Sequence, residues 1–258
     1  MRRRFGIAVA LAAVALSAAS LASGDVSQKG NVRVSFSGGF TPHGLPRERP
    51  VPVTISVSGR VSTVDGTHPP PLRRIVLELN RNGHISSAGL PVCRAALLQS
   101  TTSKEARTRC PGAAVGQGNF AADLAEAGAP IPSHGKILVF NAQRNGKAAL
   151  LLHLYGTTPI QATFVLPLTI THRKGELGTV LSANLPTIAG GVGSVTEISL
   201  VIGREYTYRG KRRGYISANC AAPPGFSLAP FTLARGNFHF GDGTSLDAVL
   251  TRECRVRG

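Results

Sequence analysis

Apolar and polar positions alternate along much of this chain. Val32-Arg33-Val34-Ser35-Phe36 alternates strictly, and so does Val51-Pro52-Val53-Thr54-Ile55-Ser56-Val57. A period of two turns one face inward and one outward, the mark of a half-buried antiparallel strand. From Ile75 to Leu79, Ile75, Leu77 and Leu79 share one face, while Arg74, Val76 and Glu78 take the other. Ile137 to Arg144 and Lys147 to Tyr155 flank Asn145-Gly146, a pair that accepts the positive φ angles of a type I′ hairpin turn. Leu150-Leu151-Leu152 is apolar at consecutive positions, so this strand is expected to be covered on both faces. Gln161 to Thr171 and Gly178 to Leu185 follow, with Pro167 marking a bulge or an edge. Further on, Glu197 to Tyr208 faces Arg213 to Cys220 across Arg209-Gly210-Lys211-Arg212. Phe231 to Phe240 faces Ser245 to Val256 across Gly241-Asp242-Gly243-Thr244.

Helix is scarce. Thr102-Ser103-Lys104-Glu105 fits a capping box, and the helix it opens must end near Arg109, before Pro111-Gly112. The pattern predicts an all-β fold: an antiparallel β-sandwich or strongly curved sheet of ten to twelve strands with two local disulfides. The domain is expected to span residues 25–258, as one unit or two lobes. Gly83-His84-Ile85-Ser86 is echoed by Gly214-Tyr215-Ile216-Ser217.

The first residues carry a different pattern. Arg2, Arg3 and Arg4 precede an apolar run from Ile7 to Leu16, and small residues follow through Gly24. This predicts a secretory signal peptide over residues 1–24 and, after its removal, a secreted or cell-surface protein with no transmembrane span. An oxidising compartment makes disulfides the expected state of Cys93, Cys110, Cys220 and Cys254. Local pairing, Cys93 with Cys110 and Cys220 with Cys254, is expected to contribute about 3–4 kcal/mol for each bridge. Without a Cys-x-x-Cys motif, a four-thiolate metal site is disfavoured.

Charge adds a partner class. The chain has 29 Lys+Arg and 13 Asp+Glu, a net +16. Residues 1–24 hold three Arg and no acid, so the remainder carries +13. Such a charge attracts anionic polymers, although Arg-rich composition also follows from high-GC codons. The cluster that stands out is Arg204, Tyr206, Tyr208, Arg209, Lys211, Arg212, Arg213 and Tyr215, where flat rings and guanidinium forks suit an acidic glycan. The competing structural role is a solvated basic turn with tyrosines packed across strands. Nucleic acid is disfavoured: aromatics are only 5 % and no recognition module is present.

Catalytic signals are weak. Gly-x-Ser-x-Gly is absent, and Ser133-x-x-Lys136 falls beside Pro132 and Gly135 rather than on a helix. Asp65 and Asp242 precede glycine and are expected to serve turns, Glu105 a cap, and Glu78 the outer face of a strand. No two histidines stand three or four apart, and His153 is expected to be a satisfied, semi-buried residue. No cofactor is called for, and no catalytic residue is nominated.

Leu90-Pro91-Val92-Cys93, Cys110, Gly135 to Asn141, Tyr155-Gly156-Thr157, Tyr215 to Cys220 and the ending Leu250-Thr251-Arg252-Glu253-Cys254-Arg255 occur in that order. In these the chain resembles a group of secreted β-rich proteins of high-GC actinobacteria with no assigned activity. The resemblance covers most of the chain after residue 24. It implies export from a Gram-positive cell and a β-rich fold, and transfers no functional residue. The expected function is a non-catalytic binding or structural protein of the cell exterior, with a basic face on anionic envelope polysaccharide. The alternatives are an exported hydrolase on a β-sandwich scaffold and a carrier of an apolar ligand between sheet layers. Converging carboxylates or a Ser-His pair would favour the hydrolase, and an internal apolar pocket the carrier.

Overall fold

The computed structural model describes residues 24–126, 129–159, 161–188, 190 and 193–257. Residues 1–23 of the expected signal segment lie outside the described residues. The first strands are β1 (Asp25–Lys29), β2 (Val32–Thr41), β3 (Gly44–Leu45), β4 (Val51–Pro52), β5 (Thr54–Thr63), β6 (Leu72–Leu79) and β7 (Gly83–Ile85). Two short helices follow, α1 (Ala95–Leu98) and α2 (Ser103–Arg109). Next come β8 (Ala114–Glu126), β9 (Ala129–Arg144), β10 (Lys147–Thr158), β11 (Ala162–His172) and β12 (Thr179–Asn184). The chain ends with β13 (Gly193–Ile202), β14 (Glu205–Tyr208), β15 (Lys211–Gly214), β16 (Ile216–Ala218), β17 (Leu228–Phe240) and β18 (Ser245–Val256).

One 13-stranded sheet dominates, in the order β1-β2-β5-β13-β8-β9-β10-β11-β12-β6-β17-β18-β3. Eleven of its strands have six or more residues, and only the β18–β3 pair is parallel. The curved antiparallel sheet is therefore the architecture that the alternation anticipates. The sheet curls until β18 lies beside β1 and β2. Among the described residues no backbone ladder joins these edges. Side chains clip the seam instead: Val249 N donates to Asp25 Oδ2 at 2.7 Å, and Arg252 Nε donates to the Gly38 carbonyl at 2.7 Å.

Alternation explains the curl, because the inward positions form one apolar core. Val34, Phe36, Val139, Leu150, Phe238 and Leu250 all belong to it. A second apolar cluster lies outside the sheet, where Leu98 and Ala106 of the helices cover Leu138, Phe140, Ala149 and Leu151. The run Leu150-Leu151-Leu152 is thus buried on both faces, as its composition demands. Thr102 and Glu105 form the capping box that opens α2, and α2 ends at Arg109. Asn145 and Gly146 sit at φ 51° and 73° between paired Arg144 and Lys147. The β11–β12 ladder begins only at Thr169, so Pro167 lies where β11 is paired on one side alone.

Both bridges join the expected partners, with Cα–Cα separations of 5.5 Å for Cys93–Cys110 and 5.7 Å for Cys220–Cys254. The first closes the helical loop onto β9, where Asn141 grips both ends of it. The Asn141 carbonyl accepts from Cys93 N at 2.9 Å, and its N–H donates to the Ala113 carbonyl at 2.8 Å.

Three expected strands are broken. The stretch 51–57 divides at Val53, whose N–H bonds Ile216 O at 3.0 Å; β4 joins β16 and β7 in a small separate sheet. The stretch 197–208 divides at Gly203-Arg204, where Gly203 N donates to Val115 O at 3.0 Å. The stretch 213–220 divides at Tyr215, which turns into the core. Strand β8 goes unannounced because residues 114–126 are rich in Gly and Ala. At Gly118 the reason is close approach: an added Cβ would strike the Ser199 carbonyl of β13. The echoed segments meet as partners, with Ile85 of β7 opposite Ile216 of β16. Among the described residues no helix is long and apolar enough to cross a membrane.

Candidate binding sites

The basic hairpin is tighter than the sequence indicates. Arg209 and Gly210, at φ 51° and 70°, form a two-residue turn, so Lys211, Arg212 and Arg213 lie on β15. Tyr206 pairs with Arg213, and Tyr208 with Lys211. Arg204 points back into the protein, giving its guanidinium to the Gly112 carbonyl and, at 3.0 Å, to the Ala114 carbonyl. Tyr206 Oη donates to the Ala88 carbonyl at 2.9 Å. Arg212 pairs with Glu205. The Tyr208 ring packs over Gly89, with the Arg209 and Arg213 guanidinium carbons 5.2 and 5.7 Å from its centroid.

Tyr215 departs from the expected surface cluster. It is 1 % exposed and belongs to the core, whereas Tyr206 and Tyr208 are half-buried on β14. The cluster therefore resolves into two side chains that tie loops together, one ion pair, one buried ring, and a stacked tip of Tyr208, Arg209 and Arg213. Arg209 and Lys211 are exposed at the turn.

Inside the curled sheet lies a feature with no local sequence signal. Three adjoining cavities run through the core. The middle one, about 90 Å³, is bounded by Val34, Leu77, Leu152, Leu181, Val195 and Phe238. It shares Leu152, Leu166, Val195 and Ile198 with a cavity of about 190 Å³ that reaches Phe120, Phe164 and Ile188. On its other side it shares Phe36, Val57, Leu77 and Leu181 with a cavity of about 90 Å³ beneath the small sheet of β4, β16 and β7. Arg60, Glu197, Ser58 and Thr196 border the middle cavity, and Asn80, Asn82, Asn219 and Tyr215 the capped end. Asn80 is used up, giving Nδ2 to the Thr232 carbonyl at 2.8 Å and accepting from Asn82 N at 3.0 Å. Asn219 gives Nδ2 to the Arg47 carbonyl at 2.8 Å. Tyr215 lines the same cavity, and burial pushes its phenol well above the ordinary value.

Groups suited to catalysis are dispersed. Among the described residues no cluster of three or more His, Cys, Asp or Glu could hold a metal ion. Lys136 Nζ bonds Asn119 Oδ1 at 2.9 Å, and on a strand Ser133 and Lys136 fall on opposite faces. Asp65 and Asp242 serve their turns, accepting from Thr67 N at 3.0 Å and Thr244 N at 2.9 Å. Hydrogen bonds from Thr67 and Asn31 hold the Asp65 carboxyl down at about 2. His239 Nδ1 and Ser245 Oγ are 2.9 Å apart, but the pair is exposed and borders none of the cavities described here. Two placements differ from expectation. Glu78 does face outward, yet it is 7 % exposed, because Arg173 covers it at 2.7 Å and Arg235 lies at 3.7 Å. His153 is fully buried under the helical loop, its Nε2 donating to the Thr101 carbonyl at 2.9 Å.

No protein-family model matches the chain, and no curated protein or solved structure matches it either.

Proposed function

We propose that this chain is a secreted carrier that holds an apolar, chain-like molecule inside the curled sheet and does no chemistry on it. The observation that supports this reading is the row of cavities of about 190, 90 and 90 Å³, whose shared walls are Leu, Ile, Val and Phe. Space with such walls stays dry and accepts apolar guests; about 150 Å³ suffices for a benzene-sized molecule. Each methylene moved from water into it contributes about 0.8 kcal/mol, so a chain of roughly eight gains about 6 kcal/mol before ordering costs. Export to the exterior of a high-GC actinobacterial cell belongs to the proposal. The Arg2–Arg4 segment with its apolar run supports it, as does the pairing of all four cysteines. The hydrolase alternative would need a substrate cleft beside its acid–base groups, and the exposed Ser245–His239 pair borders none of the cavities described above.

The test uses oxidised, signal-free protein and 1,6-diphenylhexa-1,3,5-triene, an uncharged fluorophore that is dark in water. Saturable one-to-one enhancement, reversed by n-decane and persisting at about 0.5 M salt, is the expected result. Folded protein that gives no enhancement, and whose thermal midpoint does not rise with n-decane, would overturn the proposal.

A further inference from the structure

We infer that the outer face of the sheet carries a second binding site, a polar groove that takes a neutral, extended, β-linked glycan chain. The site is independent of the carrier reading. The groove measures about 910 Å³. Its floor is formed by β2, β5, β13 and β8, and its wall by Pro230 of β17 and Thr251, Arg252 and Glu253 of β18. Alternation puts Phe36, Leu200 and Phe120 in the core and their neighbours Ser37, Ser199 and Asn119 on the opposite face. Register aligns these: Ser37 stands opposite Ser58, Ser58 opposite Ser199, and Ser199 opposite Asn119. The row crosses three strand spacings of about 4.8 Å, a run of about 14 Å that exceeds a single sugar ring. Beside it runs a second row, Gly39, Ser56, Val201 and Gln117. A Cβ added at Gly39 would meet nothing nearer than Ser56 Oγ at 4.0 Å, so the groove is open above it.

The polar groups of the floor suit hydroxyls. Asn119 Oδ1 accepts from Lys136 Nζ at 2.9 Å, and Gln117 Oε1 accepts from the Arg107 guanidinium at 2.9 Å. With their oxygens engaged, both amides present N–H donors. The Ser37 and Ser58 hydroxyls lie 2.7 Å apart; one hydrogen serves that bond, and the pair keeps a second hydrogen and acceptor capacity. Glycan hydroxyls both donate and accept, so they match this mixture. Val201, 48 % exposed, and exposed Pro230 offer apolar surface to the C–H faces of sugar rings. Hydroxyls and amides dominate the floor, rather than the apolar centre that a protein interface needs. Charge selects a neutral guest. The basic surplus of the chain is not gathered here: among the described residues one Arg, one Glu and His43 line the groove, and no Lys. Arg252 is occupied, with Nε on the Gly38 carbonyl and Nη1 on the Thr251 carbonyl, both at 2.7 Å. Glu253 beside it would repel an anionic chain.

The experiment titrates oxidised, signal-free, nitrogen-15-labelled protein with cellohexaose, a neutral β-linked oligosaccharide. Saturable shifts of the Gln117 and Asn119 side-chain amide signals are expected, and they should persist at about 0.5 M salt. The double substitution Gln117→Ala, Asn119→Ala removes two donors and is expected to weaken binding about tenfold. Gly39→Leu fills the open floor without a left-handed φ to oppose it, and is expected to weaken binding at least as much. Absence of binding, shifts confined to other surfaces, or full affinity in both folded variants would overturn the inference. Tighter binding of hexagalacturonate than of cellohexaose at the same salt would overturn the neutral assignment. Self-association of wild type in sedimentation that Gly39→Leu abolishes would also overturn it, making the face an interface between two copies. Fluorophore binding is expected to be the same in wild type and both variants, so the carrier reading stands or falls separately.

Discussion

His153 is a polar residue fully buried in an apolar strand. His153 satisfies Nε2 with the Thr101 carbonyl, which also accepts from Thr163 Oγ1 at 2.8 Å. Its Nδ1 has no partner, so a proton added there would be a buried, unpaired charge. Burial accordingly lowers the imidazole pKa. The sign follows: the unfolded chain takes up a proton near pH 6.5, where the folded chain resists it, so stability falls as pH drops below that value. His153→Gln is expected to flatten this slope between pH 7 and 5, read from denaturant midpoints. A slope unchanged from wild type would assign the acid sensitivity to other groups. The sequence marks His153 as a structural residue in an apolar strand. It does not show how completely the loop 95–109 covers it, because that depends on residues some fifty positions away.

At the scale of elements, the hairpin of β14 and β15 separates two roles that its sequence runs together. Arg204 and Tyr206 hold the loops at Gly112 and Ala88, whereas Arg209, Lys211 and Arg213 gather at the tip. Any ionic contact with an anionic envelope polymer would fall to that tip. The triple substitution Lys211→Ala, Arg212→Ala, Arg213→Ala is therefore expected to reduce co-sedimentation with isolated Gram-positive cell walls at low salt. Unchanged co-sedimentation of the folded variant would exclude the hairpin as a contact. The same scale shows what alternation conveys and what it misses. β2, β6, β10, β17 and β18 announce themselves because their inward residues are large. β8 does not, because the close fit of its glycines against β13 replaces side-chain contrast. The breaks at Val53 and Gly203 are equally silent, since each is made by a hydrogen bond to a distant strand, and at Tyr215 the bonds go to Arg204 and Ser86 between strands.

For the molecule as a whole, the row of cavities depends on the curl of the sheet, whose edges are held by side chains rather than a ladder. Asp25 and Arg252 supply those clips. Within, Val195 borders both the middle cavity and the adjoining one of about 190 Å³, and is 6 % exposed. Val195→Phe would place a ring between them. It is expected to weaken binding of n-decane by about tenfold or more, equivalent to about 1.4 kcal/mol. The cost of overpacking is expected to stay within about 1–3 kcal/mol of stability. Undiminished affinity in the folded variant would place the ligand elsewhere.

Local patterns in the chain determine the all-β class, the Asn145-Gly146 turn, the capped helix before Arg109 and the two local disulfides. Each depends on residues close in sequence or on a period of two, and local stereochemistry acts over that range. Tertiary structure alone decides the order of strands in the sheet, the burial of Glu78 and His153, the inward turn of Tyr215 and the chamber itself. A cavity is the space left when strands far apart in sequence pack around residues of unequal size. No short stretch of sequence encodes that volume.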